Sequence, residues 1–136
     1  MKAQGLMDSS GLIALVDRSE EWHERCVQSF ADLRLPLGTT CAVLTDMFHL
    51  LTVRESKGVW ALLRDGVIQV LPIEHGELAD VQALMDRYSD RPMDFADATL
   101  VHVARRENLQ AILSIDDDFL VYRIEGRQQF QVYPPR

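Results

Sequence analysis

Short apolar runs alternate along the chain with longer segments in which apolar residues recur three and four positions apart. The short runs predict strands, because a strand that is covered on both faces is apolar throughout. They occupy residues 5–8, 35–40, 67–73 and 111–115. A tail with alternating polar and apolar residues, 129–133, predicts an edge strand. The periodic segments predict a helix that starts at the serines after Asp8 and further helices over 20–33, 42–53, 56–64, 77–88 and 94–107.

The alternation of strands with helices predicts an α/β sandwich. Its central sheet should be mostly parallel, with helices on both faces, since parallel crossovers are right-handed. A chain of 136 residues with no repeat and no Gly/Ser-rich linker predicts one domain over 1–136. In such sheets, ligands bind at the carboxyl ends of the strands, where the strand order reverses.

Composition restricts the class of protein further. Twenty-one acidic residues against fourteen basic ones give a net charge of −7, which argues against a nucleic-acid partner. Two cysteines, Cys26 and Cys41, lack zinc-like spacing, so reduced thiols are expected. With no signal-like N-terminal segment and no apolar run of about 20 residues, we expect a cytoplasmic protein without membrane contact.

Acidic residues fall where the predicted sheet would bring them together. Asp8 follows the first predicted strand and Asp116 follows a later one, whereas Asp94 and Asp97 open a helix and Asp46 lies one turn into another. Clustered carboxylates repel one another unless a divalent cation neutralises them. Carboxylate oxygens suit Mg²⁺ or Mn²⁺, so the pattern predicts metal-dependent phosphoryl transfer.

Each acid alone also has a structural explanation, and the sequence leaves that alternative open. Asp94 with Asp97 is typical of a helix N-cap followed by an acidic first turn. Asp116 to Asp118 is typical of a turn, and Asp8 is a plausible strand end. The joint spacing of the acids carries the functional prediction.

Four segments of the chain together resemble the motifs of a known family. They are Met7 to Leu15 followed by His23 to Cys26, Thr39 to Leu51, Met93 to Val101, and Ile112 to Phe119. In this order and spacing they resemble PIN-domain proteins of the VapC toxin type. The resemblance implies a small α/β sandwich and a ribonuclease that depends on Mg²⁺ or Mn²⁺. It covers nearly the whole chain.

The resemblance also assigns roles to individual residues. It implies that Asp8, Asp97 and Asp116 bind metal, with Asp94 beside them, and that Asp46 assists catalysis. The family usually has Glu at the position of Asp46, whose side chain is one methylene shorter. The residues expected to orient the carboxylates or the attacking water are Ser9, Ser114 and Asp118.

The resemblance further implies an RNA substrate, cleaved to leave a 5′-phosphate and a 3′-hydroxyl, an antitoxin that covers the pocket, and a homodimer. An apolar helical surface within residues 43–63 is the expected dimer contact. Arg54, Lys57 and Arg64 are expected to contact RNA phosphates. The alternative is a catalytically weak or inactive PIN-fold module that binds RNA or protein, and the short side chain of Asp46 motivates it.

The net charge has a local interpretation if the six candidate aspartates share one pocket. The remaining fifteen acids then nearly balance fourteen bases. Bound metal would neutralise much of the pocket. Without metal, the protein should bind RNA poorly.

Overall fold

The sheet has five short strands, all parallel, in a computed structural model that describes residues 1–136. The strands are β1 (Gly5–Met7), β2 (Leu37–Thr39), β3 (Ile68–Val70), β4 (Ala111–Leu113) and β5 (Gln131–Tyr133). Their spatial order is β3-β2-β1-β4-β5, with Leu6 opposite both Gly38 and Ile112. Strand order reverses at β1, because the chain first builds outward to β3 and then returns to β1's other side. The predicted edge position of the last strand is confirmed.

Seven α-helices surround this sheet, and a single 3₁₀ turn, His75–Glu77, precedes the fifth. They are α1 (Ser9–Val16), α2 (His23–Asp32), α3 (Cys41–Leu50), α4 (Val53–Arg64), α5 (Leu78–Arg87), α6 (Phe95–Glu107) and α7 (Asp118–Val121). None of these helices is both long enough and apolar enough to cross a bilayer.

Helices cover both faces of the sheet, as predicted. Successive residues of a strand point to opposite faces, so each face of this apolar sheet packs against its own set of helices. Leu6 and Ile112 belong to a core formed with α5, α6 and α7. Met7 and Leu113 belong to a second core formed with α1, α3 and α4. The two cores together confirm the α/β sandwich.

The predicted helix over 42–53 is wrong at its end. Leu51 and Val53 continue the apolar pattern, but α3 ends at Leu50 and α4 begins at Val53. Thr52 separates them as the N-cap of α4, in a capping box in which its hydroxyl and the Glu55 carboxylate each accept a backbone N–H. The short helix α7 was not predicted.

A close approach of α1 to β4 fixes the position of the first helix. A Cβ atom at Gly11 would lie 2.3 Å from the carbonyl oxygen of Leu113, so only glycine allows this contact. The backbone N–H of Asp8 donates to the same carbonyl oxygen at 3.1 Å. The start of α1 is therefore held directly against the end of β4.

Candidate active site

Asp8 lies at the point where the strand order reverses, between the carboxyl ends of β1 and β4. It is the N-cap of α1, and its Oδ1 accepts the backbone N–H of Ser10 at 2.6 Å. Its Oδ2 accepts the hydroxyl of Ser114 at 2.6 Å and lies 3.2 Å from the hydroxyl of Ser10. Asp8 is buried, so these hydroxyl and amide donors stabilise a carboxylate that has little contact with water.

Ser114 connects Asp8 to the loop that carries Asp116. Its hydroxyl donates to Asp8 and accepts the backbone N–H of Asp116 at 3.1 Å. Ser10 adds a second connection, because its hydroxyl accepts the backbone N–H of Ile115 at 3.1 Å. The loop is closed locally by Asp116, whose Oδ1 accepts the backbone N–H of Asp118 at 3.0 Å. Asp116 is therefore a turn residue, as the structural explanation predicts, and its role in binding metal stays a prediction.

The start of α6 supplies Asp94 and Asp97. Asp94 is the N-cap, and its Oδ1 accepts the backbone N–H of Asp97 at 2.8 Å, as the capping explanation predicts. The phenol of Tyr122 donates to Oδ2 of Asp97 at 3.2 Å. Oδ1 of Asp97 is left without a hydrogen bond from the protein.

Asp97 lies within electrostatic range of Asp94, Asp8 and Asp116. Burial, followed by the charges of Asp94 and Asp8 and more weakly that of Asp116, raises the pKa of Asp97 to about 7. Burial also raises the pKa of Asp8, with a contribution from Asp116, although the Ser114 and Ser10 hydrogen bonds oppose it. Partial desolvation and the neighbouring Asp118 raise the pKa of Asp116. Crowded carboxylates with raised pKa values are typical of functional sites.

Helix N-termini offset part of this repulsion. Asp8 and Asp94 are the N-caps of α1 and α6, and α7 begins at Asp118, two residues after Asp116. The N-terminus of α6 is tied to that of α3, because the hydroxyl of Thr40 donates to that of Thr99 at 2.8 Å, while Thr99 donates to Ala96. The positive ends of the helix dipoles favour negative charge in the pocket.

Asp118 lies at the edge of the pocket. Its Oδ1 pairs with Arg91, whose Nη2 is 2.9 Å and whose Nε is 3.0 Å away. The charge of Asp118 contributes to the raised pKa of Asp116.

Two predicted residues have no hydrogen bond that ties them to the cluster. Asp46 is exposed on α3, which packs against α1 and α6, and no hydrogen bond or ion pair fixes its side chain. Ser9, expected to orient the carboxylates, forms no side-chain hydrogen bond, and the adjacent Ser10 makes those contacts. In the first turn after a helix N-cap, the cap's side chain reaches the second or third N–H, which brings Ser10 into contact.

The basic residues predicted for RNA contacts all lie exposed on α4. Arg54 lines a cleft of about 480 Å³ with Arg18 and His23, beside the end of α1. Asp8 lies at the opposite end of that helix. Lys57 and Arg64 do not line the cleft.

Sequence reasoning missed three residues that contact the site: Ser10, Tyr122 and Arg136. A serine two positions after a capping aspartate was a usable local signal for Ser10. Tyr122 is separated from Asp97 by 25 positions, and no local pattern connects them. Arg136 bonds the carbonyl oxygens of Ser114 and Asp116, which only the folded chain reveals.

The donor set fits a hard divalent cation, although no three acidic, histidine or cysteine side chains are arranged as a complete metal site. The pocket offers carboxylate oxygens without a thiolate or imidazole, which is the chemistry that Mg²⁺ and Mn²⁺ select. Burial and the neighbouring carboxylates raise the pKa of Asp97, and a bound cation would favour its ionised form. The assignment of Asp8, Asp97 and Asp116 as ligands of such a cation stays a prediction.

The fold and the pocket define an α/β sandwich with an acidic site where the strand order reverses. The chain belongs to the PIN domain family, whose sequence profile matches residues 6–125. Its structure is similar to the crystal structure of Mycobacterium tuberculosis VapC20, described as a sarcin–ricin loop cleaving toxin, with a TM-score of 0.76. The two chains are 22% identical, and the match covers 83% of this chain and 90% of VapC20. No curated protein matches the sequence. The PIN-type fold expected from the sequence is therefore confirmed.

Proposed function

We propose that this protein is a ribonuclease that depends on Mg²⁺ or Mn²⁺ and acts as the toxin of a toxin–antitoxin pair. The observation that carries the proposal is the coupled carboxylate pocket of Asp8, Asp97 and Asp116 at the reversal of strand order. Membership of the PIN domain family and the structural likeness to VapC20 support the same conclusion.

Each carboxylate has a defined part in this proposal. Ser114 and Ser10 hold Asp8 in one orientation, and Oδ1 accepts a single hydrogen bond, from the backbone N–H of Ser10, which leaves a lone pair on that oxygen for a ligand. Tyr122 orients Asp97 through Oδ2 and leaves Oδ1 for the ligand. A divalent cation bound there would activate water and neutralise charge on the scissile phosphate of the RNA. Asp94 completes the proposed metal-binding set, and Asp46 is the proposed assisting acid.

RNA is the proposed substrate, and its phosphates would follow α1 from the pocket to the cleft at Arg54. α1 has eight residues, so the two sites are separated by about 12 Å of helix. Lys57 and Arg64 extend the same basic face of α4 and are the weaker part of the proposal. The sarcin–ricin loop, named for VapC20, is the first RNA hairpin to test.

A homodimer and an antitoxin are the proposed protein partners, in the cytoplasm. α3 and α4 expose Leu50, Val53 and Trp60 by 71%, 78% and 57%. The Trp60 ring stacks on Phe48 with centroids 4.9 Å apart, so the exposed face is ordered and apolar. This face supports self-association, whereas the acidic pocket suits an antitoxin that presents arginine.

Cleavage of labelled RNA hairpins tests the enzymatic proposal. Purified protein should cut RNA in Mn²⁺ and stop cutting in excess chelator. Asp8→Asn should abolish cleavage, while the matched variant Asp90→Asn, at an exposed turn outside the pocket, should retain it. Cleavage that survives both chelator and Asp8→Asn would refute the proposed site.

One observation favours the alternative of a PIN-fold binding module with weak or no activity. The side chain of Asp46 is one methylene shorter than that of Glu, is exposed, and has no hydrogen bond or ion pair to hold it in place. A protein that binds Mn²⁺ and RNA but leaves the RNA intact at every metal concentration would establish that alternative.

A further inference from the structure

The segment after β5, residues 134–136, contacts the loop that carries Asp116. Arg136 lies at the centre of this contact. Its Nη2 donates to the carbonyl oxygen of Ser114 at 3.0 Å and to that of Asp116 at 3.4 Å. Its Nε donates to Oδ1 of Asp117 at 3.0 Å. One guanidinium therefore contacts three residues of a four-residue loop.

Arg136 is itself held in place from two directions. Its Nη1 donates to the carbonyl oxygen of Pro134 at 2.7 Å, which closes the segment on itself. Its Cζ lies 5.0 Å from the ring centroid of Trp22, and the Cζ of Arg25 lies 4.1 Å from the same centroid. Arg25 also donates to the carbonyl oxygen of Pro135. The side chain of Arg136 is only 23% exposed, so the guanidinium is largely enclosed.

The residues that Arg136 contacts are the same ones that shape the pocket. The Ser114 hydroxyl donates to Asp8. Asp116, two residues further along the loop, has a carboxylate whose charge affects Asp8. Fixing the carbonyl oxygens of Ser114 and Asp116 fixes the peptide planes from which both side chains project. A guanidinium presents several N–H groups in one plane, whereas an ammonium on a flexible stem cannot bond all these acceptors at once.

We propose that Arg136 is a positioning residue, which holds the Ser114–Asp116 loop through its backbone carbonyl oxygens so that Asp116 and Asp8 share one cation. The inference rests on the proposed function, because it concerns how the pocket binds Mg²⁺ or Mn²⁺. It assigns a role to a residue that none of the four family-like motifs contains.

Calorimetric titration of the whole protein with Mn²⁺ alone tests this role without relying on catalysis. Arg136→Lys keeps the charge and loses the planar fork, so Mn²⁺ should bind about 10-fold more weakly. Arg25→Ala is the matched control, because it removes the other cation on Trp22 and the Pro135 contact but no bond to the loop. Its Mn²⁺ affinity should fall much less than that of Arg136→Lys, because every hydrogen bond from Arg136 to the loop remains. Urea unfolding of both variants identifies any loss of global stability.

Cleavage kinetics provide the second readout. At saturating Mn²⁺, Arg136→Lys should lower kcat for RNA and leave KM unchanged, since Arg136 forms no hydrogen bond with the carboxylates of Asp8, Asp97 or Asp116.

The outcomes separate the two proposals. If the unchanged protein binds no Mn²⁺, the proposed function and this inference fall together. If it binds Mn²⁺ and Arg136→Lys binds equally well, the inference alone is wrong. The inference is also wrong if Arg25→Ala weakens binding as much as Arg136→Lys does, because Arg136 would then act only through general packing of Trp22.

Discussion

Replacing Asp97 by Asn should stabilise the metal-free protein at pH 8. Burial and three neighbouring carboxylates raise the pKa of Asp97 from 3.8 to about 7. The folded state therefore disfavours the ionised carboxylate, which the unfolded chain accepts freely. Asn has nearly the same shape, carries no charge, and its amide oxygen can still accept the Tyr122 hydroxyl. The substitution removes the repulsion and keeps the hydrogen bond.

The size of the effect follows from the pKa difference. At about 1.36 kcal/mol for each pKa unit, the upper bound is about 4 kcal/mol. Solvent at the partly exposed carboxylate screens this, so we expect a gain of about 2 kcal/mol. Between pH 4 and 7 the unfolded chain has lost the Asp97 proton and the folded chain retains it. Stability of the unchanged protein should therefore fall as pH rises through this range, and the variant should lose less.

Urea unfolding in chelator at several pH values between 5 and 8 measures this difference. The advantage of Asp97→Asn should be largest at pH 8 and shrink toward pH 5. Added Mn²⁺ should stabilise the unchanged protein and leave the variant unaffected, because binding to the native state alone raises its stability. Asp90→Asn, at an exposed turn, controls for the loss of one negative charge. An advantage that is absent at pH 8, or equal at every pH, would show that burial and the neighbouring carboxylates do not disfavour the ionised form of Asp97.

Three further predictions concern other parts of the molecule. Ser114→Ala removes the 2.6 Å hydrogen bond to Asp8 and should weaken Mn²⁺ binding and kcat by about 10-fold, measured by calorimetry and RNA cleavage; unchanged affinity would contradict the role of Ser114. Asp46→Glu introduces the longer side chain that is usual in the family and should raise kcat for RNA cleavage by about 10-fold. Equal or lower activity would show that Asp46 takes no part in catalysis. Val53→Asp places a charge on the exposed apolar face of α3 and α4 and should give a monomer by light scattering, with unchanged circular dichroism. A dimer that persists would place the contact elsewhere.

Strands and helices were predictable where burial dictates the pattern. β1 and β4 are covered on both faces, so their residues are apolar throughout, and the order of strands and helices limited the fold to a parallel α/β sandwich. The end of α3 was not predicted, because apolar residues on both sides of Thr52 conceal the break. The Thr52–Glu55 pair was nevertheless a visible helix-start signal.

The site was predictable to the extent that local structure forms it. Asp8 and Asp94 cap helices at the carboxyl edge of the sheet, so their spacing in the sequence carried information about their position. Tyr122 and Arg136 reach the site through tertiary contacts, which sequence spacing does not encode. Asp46 was grouped with the other acids by the order of the elements and by resemblance, and the structure leaves its side chain exposed with no hydrogen bond to fix it.

The contact of Gly11 with Leu113 has a consequence for how this site can evolve. Because α1 touches the β4 backbone without an intervening side chain, the separation of Asp8 from the Ser114–Asp116 loop is set by atomic radii. A methyl group at position 11 would act as a spacer and move one acid away from the other, without altering any residue that touches the ligand. Position 11 thus sets how closely Asp8 approaches the loop of Ser114 and Asp116, and any larger residue there forces the backbone of α1 and β4 apart.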